Sequence, residues 1–194
     1  KTFQPQSAST TKIAAGQTLG GAGNMTLTGS SVNDGSNMAS TVTLTSTGNI
    51  SGVTFTVTGT DASGSAATED ITGPNNNTVT GSTAFLTVTQ IAADGAVATN
   101  TSAGFTATTT GQGIVFAGAT RIRGVLGANV AVAGLLEFKD GSQSGDVLLS
   151  IVTTSGTDNI NTTVPQDGIL FRSGAFLDMQ ATQVVDGLTV FFDG

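Results

Sequence analysis

Apolar and hydroxylated side chains alternate along this chain with a period of two. Thr41-Val42-Thr43-Leu44-Thr45 places Val and Leu on one side and Thr on the other, and Val53-Thr54-Phe55-Thr56-Val57-Thr58 repeats the pattern. A half-buried strand needs that period, because successive side chains leave a pleated backbone on opposite faces. Thr is the commonest residue type, and the branched Cβ of Thr and Val fits the pleated surface. No window carries a sustained apolar stripe at helical spacing. The Ala-rich stretch 92–98 is broken by Gly95 and is too short for a helix.

Turn residues divide the pattern at short intervals. Ser46-Thr47-Gly48-Asn49, residues 59–64 and Gly73-Pro74-Asn75-Asn76-Asn77 are predicted turns, with strands at 66–71 and 84–91. Lys139-Asp140-Gly141 and Val164-Pro165-Gln166-Asp167-Gly168 are predicted turns further on. Short strands with turns every 8–12 residues predict a sandwich or barrel. The texture shifts in the polar stretch 106–113, after which strands at 114–116, 122–126, 135–138, 147–152, 168–171, 175–179 and 188–192 are richer in Leu, Ile and Phe. The expected fold is all-β: two small antiparallel β-sandwich or jelly-roll-like domains at 13–110 and 111–194, with residues 1–12 as an extended arm. Two readings of that arm stay open, a segment lying on a neighbouring subunit and a frayed terminus. Residues 24–28 are a further predicted strand.

The missing residue types restrict chemistry. Of 194 residues none is His, Cys, Trp or Tyr. The chain therefore has no imidazole base, thiolate nucleophile, zinc–thiolate site or disulfide. With six basic and thirteen acidic residues the net charge is −7, which repels a phosphate backbone, so no nucleic-acid partner is expected. No apolar run is long enough to cross a bilayer, so no membrane is expected either. No signal peptide is visible. An opening on Lys1 fits a processed chain or the ordered part of a longer one.

Few groups remain as candidates for chemistry. Glu69-Asp70 is the only adjacent carboxylate pair, but on a strand the two point to opposite faces, and a solvated edge is the favoured reading. Asp140 and Asp146 flank a loop that supplies only part of a calcium shell, and a plain hairpin is favoured. Arg121 and Arg123 are expected on one face of a strand. They fit either an anionic contact on a neighbouring subunit or an internal salt bridge, and with Arg172 they make up half of the basic side chains. Gly20 to Gly23 precedes no helix and cannot cradle phosphate. Asn-X-Ser/Thr sequences at Asn24, Asn49, Asn76, Asn100 and Asn161 carry no weight in a chain this rich in Asn and Thr. The residues predict no enzyme, no catalytic or metal-ligating residue and no cofactor.

Two stretches resemble virion structural proteins of tailed bacteriophages. Across residues 8–105 the likeness is carried by 14–27, by 51–61 (Ser51-Gly52-Val53-Thr54-Phe55 onward), by Glu69-Asp70-Ile71-Thr72-Gly73-Pro74-Asn75 and by Phe85-Leu86-Thr87-Val88-Thr89-Gln90-Ile91. Across 119–194 Arg121-Ile122-Arg123-Gly124-Val125, Phe138-Lys139-Asp140-Gly141 and Asp167-Gly168-Ile169-Leu170-Phe171 look like a small β-domain of similar phage proteins. The resemblance implies a component of an extracellular virion, with capsid decoration favoured. Tail, neck or fibre parts are the first alternative, and a bacterial surface filament or adhesin using the arm as a donor strand is the second. The partners it implies are a major capsid protein or other virion proteins and copies of the chain itself, a trimer being suited to capsid symmetry axes.

Overall fold

The computed structural model describes residues 1–108, 111–128, 130–154, 159–180, 183–184 and 187–194. These are strands, turns and bends, with no helix among them. Contacts divide the chain into two compact units, one holding residues 7–34 and 39–107, the other 1–6, 35–38 and 108–194. The second unit thus includes an N-terminal piece from within the expected arm. Of the expected boundary stretch 106–113, Thr109 and Thr110 lie outside the described residues.

The 7–107 unit has eight strands: β2 (Ser9–Leu19), β3 (Gly23–Asn24), β4 (Ser40–Ser46), β5 (Thr54–Thr60), β6 (Ala66–Thr72), β7 (Thr78–Phe85), β8 (Thr87–Ala93) and β9 (Val97–Phe105). They form antiparallel sheets ordered β2-β9-β4-β7 and β3-β8-β5-β6. Counted within the unit, the orders are 1-8-3-6 and 2-7-4-5, the double Greek key of a jelly roll. Period-two patterning places the core between the sheets. Val42, Leu44, Ala103 and Phe105 come from one sheet, and Phe55, Val57, Val88 and Ile91 from the other, all almost fully buried. β5 and β6 pair residue for residue across a turn in which the Asp61 carboxylate accepts from the Ser63 and Ser65 amides and Gly64 takes a φ of 81°. Gly104 is required by close approach: a Cβ there would collide with the Ser9 carbonyl of β2.

The sequence predicts one strand over 84–91, and the structure has two. The chain passes from one sheet to the other at Leu86, whose amide donates to Thr60 O. Phe85 and Val88 are both buried although three residues apart, which an unbroken strand would forbid. The strand expected at 24–28 is confined to β3, although Met25 is still buried.

The other unit has β1 (Thr2–Phe3), β10 (Gln112–Phe116), β11 (Thr120–Gly127), β12 (Val130–Val132), β13 (Gly134–Asp140), β14 (Val147–Thr153), β15 (Ile160–Thr163), β16 (Ile169–Phe171), β17 (Ala175–Gln180), β18 (Gln183–Val184) and β19 (Leu188–Asp193). One sheet runs β1-β19-β11-β15, with β16 also on β11. The other runs β10-β17-β13-β14, and β12 pairs β18 apart from both. With β15 and β16 sharing the sixth place, the 1-8-3-6 and 2-7-4-5 orders recur. The chain is therefore a jelly roll inserted between the first and second strands of another jelly roll. Phe3, Ile122, Val125, Phe171, Leu188 and Val190 meet Leu136, Phe138, Ala175 and Leu177 in its core.

β1 lies in the part of the chain expected to be a loose arm. Thr2 and Phe3 pair with Thr189 and Leu188 of β19, and the Phe3 side chain is completely buried. Residues 9–12 open β2 in the other unit. A bulge between β11 and β19 at Ile122/Gly124 turns both Ile122 and Val125 inward. The turn expected at Lys139-Asp140-Gly141 begins only at Gly141, where φ is 83°. Lys139 and Asp140 belong to β13.

Candidate functional site

The carboxylates singled out in the sequence hold local structure together. Glu69 and Asp70 point to opposite faces of β6. Asp70 Oδ1 accepts from Thr56 Oγ1 at 2.6 Å, while Glu69 Oε1 accepts from Ser82 Oγ at 2.7 Å and from the Ser82 amide, and Oε2 from the Thr83 amide at 3.2 Å. Those amides sit where β7 slips register against β4, between Thr43↔Thr80 and Thr41↔Ala84, so Glu69 replaces their missing ladder partners. Gly81 leaves room for this, since a Cβ there would strike the Glu69 carboxylate. Asp140 Oδ1 accepts from the Ser173 amide at 2.8 Å, and the Asp140 amide donates to Asp146 O across the β13–β14 hairpin. Among the described residues no group of three or more acidic side chains is arranged to hold a metal ion.

Arg121 and Arg123 come to one place. Arg123 forms an ion pair with Asp193 and donates to Gln166 O at 2.8 Å, and Arg121 Nη1 reaches Asp167 O at 3.4 Å. Both guanidinium groups therefore pin the 165–168 turn, and the internal salt bridge is the alternative realised by Arg123. Arg172 is exposed beyond β16.

Among the described residues every exposed large apolar side chain belongs to the unit completed by β1. Val147, Leu148 and Val152 stand on β14, an edge strand whose one partner among the described residues is β13. Val152 is 75% exposed, and 147–153 contains no charged residue, so this edge lacks the usual charge that blocks strand addition. Leu126, Leu170 and Phe191 stand on the outer face of the other sheet. Phe191 is 51% exposed and its ring lies over Gly124. A cleft of about 250 Å³ at the ends of β14 and β15 is lined, among the described residues, by Ile151, Thr153, Asn159, Ile160 and Thr162, none of them ionisable.

The sequence reading missed one cluster. Lys139 Nζ lies 2.6 Å from Asp178 Oδ2 and 3.5 Å from Glu137 Oε2, and Gln112 Nε2 donates to Asp178 Oδ1 at 3.1 Å. Lys139 and Asp178 are 9% and 6% exposed. The hydrogen bond that Lys139 donates to Asp178 raises the Lys139 pKa, with Glu137 adding to the effect and burial opposing it. With Leu136 and Phe138 facing the core, Glu137 and Lys139 necessarily share the opposite face, a legible signal. Their meeting with Asp178 depends on β13–β17 register, which the sequence does not reveal.

No family model matches this chain, and no curated protein or solved structure matches it either.

Proposed function

We propose that this chain is a structural subunit of a tailed-bacteriophage particle that decorates and reinforces the head lattice, docking on capsid protein and on copies of itself. The observation that carries the reading is the uneven distribution of exposed apolar surface. One jelly roll presents mostly Thr, Ser and Asn to solvent, while the other presents Val152, Leu148 and Phe191. Such a surface suits attachment through one unit with the other left solvated. Jelly rolls occur in viral capsid domains and also in unrelated proteins, so the fold supports the reading only together with the sequence likeness. Binding that occurs only to assembled lattice stabilises that lattice by mass action. The reading assigns the chain no reaction.

The test is co-sedimentation with undecorated heads. The unaltered chain is expected to pellet with them, and Phe191→Asp or Val152→Lys to weaken binding by about 2 kcal/mol, the scale of an interface hot spot. Absence of the chain from purified virions would overturn the reading. A few dozen copies per particle would favour a tail or fibre part instead. The filament alternative needs a free donor strand, whereas β1 is seated in its own sheet. Polymers in which residues 1–12 of one copy are seated in the sheet of the next would favour that alternative.

A further inference from the structure

Lys139, Glu137, Asp178 and Gln112 share one side of the sheet formed by β10, β17, β13 and β14, on the face opposite the core residues Leu136, Phe138 and Leu177. An ammonium and a carboxylate withdrawn from water lose hydration that one salt bridge recovers only in part. The hydrogen bond to Asp178 outweighs burial and keeps Lys139 charged, and the pair without charges differs from the ion pair by one proton moved along that 2.6 Å hydrogen bond. A neutral lysine amine held against a carboxyl group is a nucleophile beside an electrophile, and fixed proximity replaces the bimolecular encounter that makes amide formation slow in water.

We propose that this cluster is a site of self-modification, at which Lys139 Nζ and Asp178 Cγ join in an isopeptide bond between β13 and β17. The salt-bridge proton passes from Nζ to Asp178 Oδ2. Nζ then attacks Cγ, and the charge that develops on Oδ1 is met by the Gln112 amide donor. Glu137, 3.5 Å from Nζ, takes a second proton from the nitrogen and delivers it to Oδ2, which leaves as water when the Cγ–Oδ2 bond breaks. One ammonium and one carboxylate give one amide and one water, so no oxidant or co-reactant is needed. Asp178 also holds the amine in its charged form, so the bond forms slowly and only after the strands have paired. It joins residues 39 apart in a chain without cysteine, and it needs no other protein.

The experiment is intact-mass measurement of the folded protein over time after refolding, followed by digestion and peptide mapping. The expected result is a growing species lighter than the sequence mass by one water, with a branched peptide joining Lys139 to Asp178. Glu137→Gln and Lys139→Arg are expected to keep their full masses. A wild-type chain that keeps its sequence mass through prolonged incubation overturns the proposal. So does a loss of water that maps to a succinimide at an Asp–Gly step such as Asp140-Gly141 with no branched peptide. Both readouts use the unaltered chain, so a variant that fails to fold leaves the answer intact.

Discussion

Single side chains in this molecule mostly repair backbone. Glu69 supplies acceptors for two amides of β7 that the β4 ladder leaves over, and Glu69→Ala is expected to cost about 1 kcal/mol, measured by urea titration. Thr43 shows the opposite case. It is 7% exposed, and its hydroxyl has no hydrogen-bond partner. Thr43→Val keeps the shape and is expected to raise stability by about 1 kcal/mol. Period-two reading assigns Thr43 to the outer face and therefore to water. It cannot show that the outer face is covered there. The same blindness hid Lys139, which the sequence places at a turn and the structure buries on β13. While its amine is free, the raised pKa of Lys139 gives a signed prediction. The folded value lies above the unfolded value near 10.5, so the contribution to stability is full below that pH and is lost as pH rises through the folded value. Melting temperature is expected to fall more steeply in alkali for the free amine than for Lys139→Met, and a chain joined to Asp178 has no amine to titrate.

At the scale of elements, alternation located the central strands well and the edges poorly. β4, β5 and β17 were legible because each buries alternate apolar residues against a single core. β15 was not expected, since Ile160-Asn161-Thr162-Thr163 offers one buried residue and a polar remainder. β1 was unreadable for a different reason: two residues carry no period, and its partner β19 lies at the other end of the chain. Phe3 nevertheless fills the core, so Phe3→Ala is expected to cost about 3–5 kcal/mol, far more than a loose arm could lose. β14 was placed correctly, but alternation could not show that it is an unguarded edge. Val152→Lys is expected to leave the melting temperature nearly unchanged while lowering aggregation at high concentration, followed by light scattering.

Over the whole molecule, the change in texture at 106–113 leads the sequence reading to two consecutive domains, whereas contacts divide the chain into two nested units, and nesting depends on which strands pair. The chain crosses the boundary of the 7–107 unit four times, entering at 6/7 and 38/39 and leaving at 34/35 and 107/108. All eight jelly-roll strands of that unit lie within 7–107, so it holds its own fold. The other unit draws β1 and Met38 from upstream, with Gln4 N donating to Ser36 O and Asn37 Nδ2 to Thr2 O to tie those pieces together. Its first strand therefore waits until the final strand is made, a non-local pairing of the kind that slows folding. Fragments separate the two cases. A 7–107 fragment is expected to unfold cooperatively by circular dichroism, whereas a 108–194 fragment, deprived of Phe3 and with β19 left as an open edge, is expected to lose its cooperative transition. Adding a peptide of residues 1–6 should restore part of that transition, because Phe3 and the β1 ladder are what the fragment lacks. Equal, full-chain-like melting of both fragments would mean that β1 adds nothing to the unit whose core it enters.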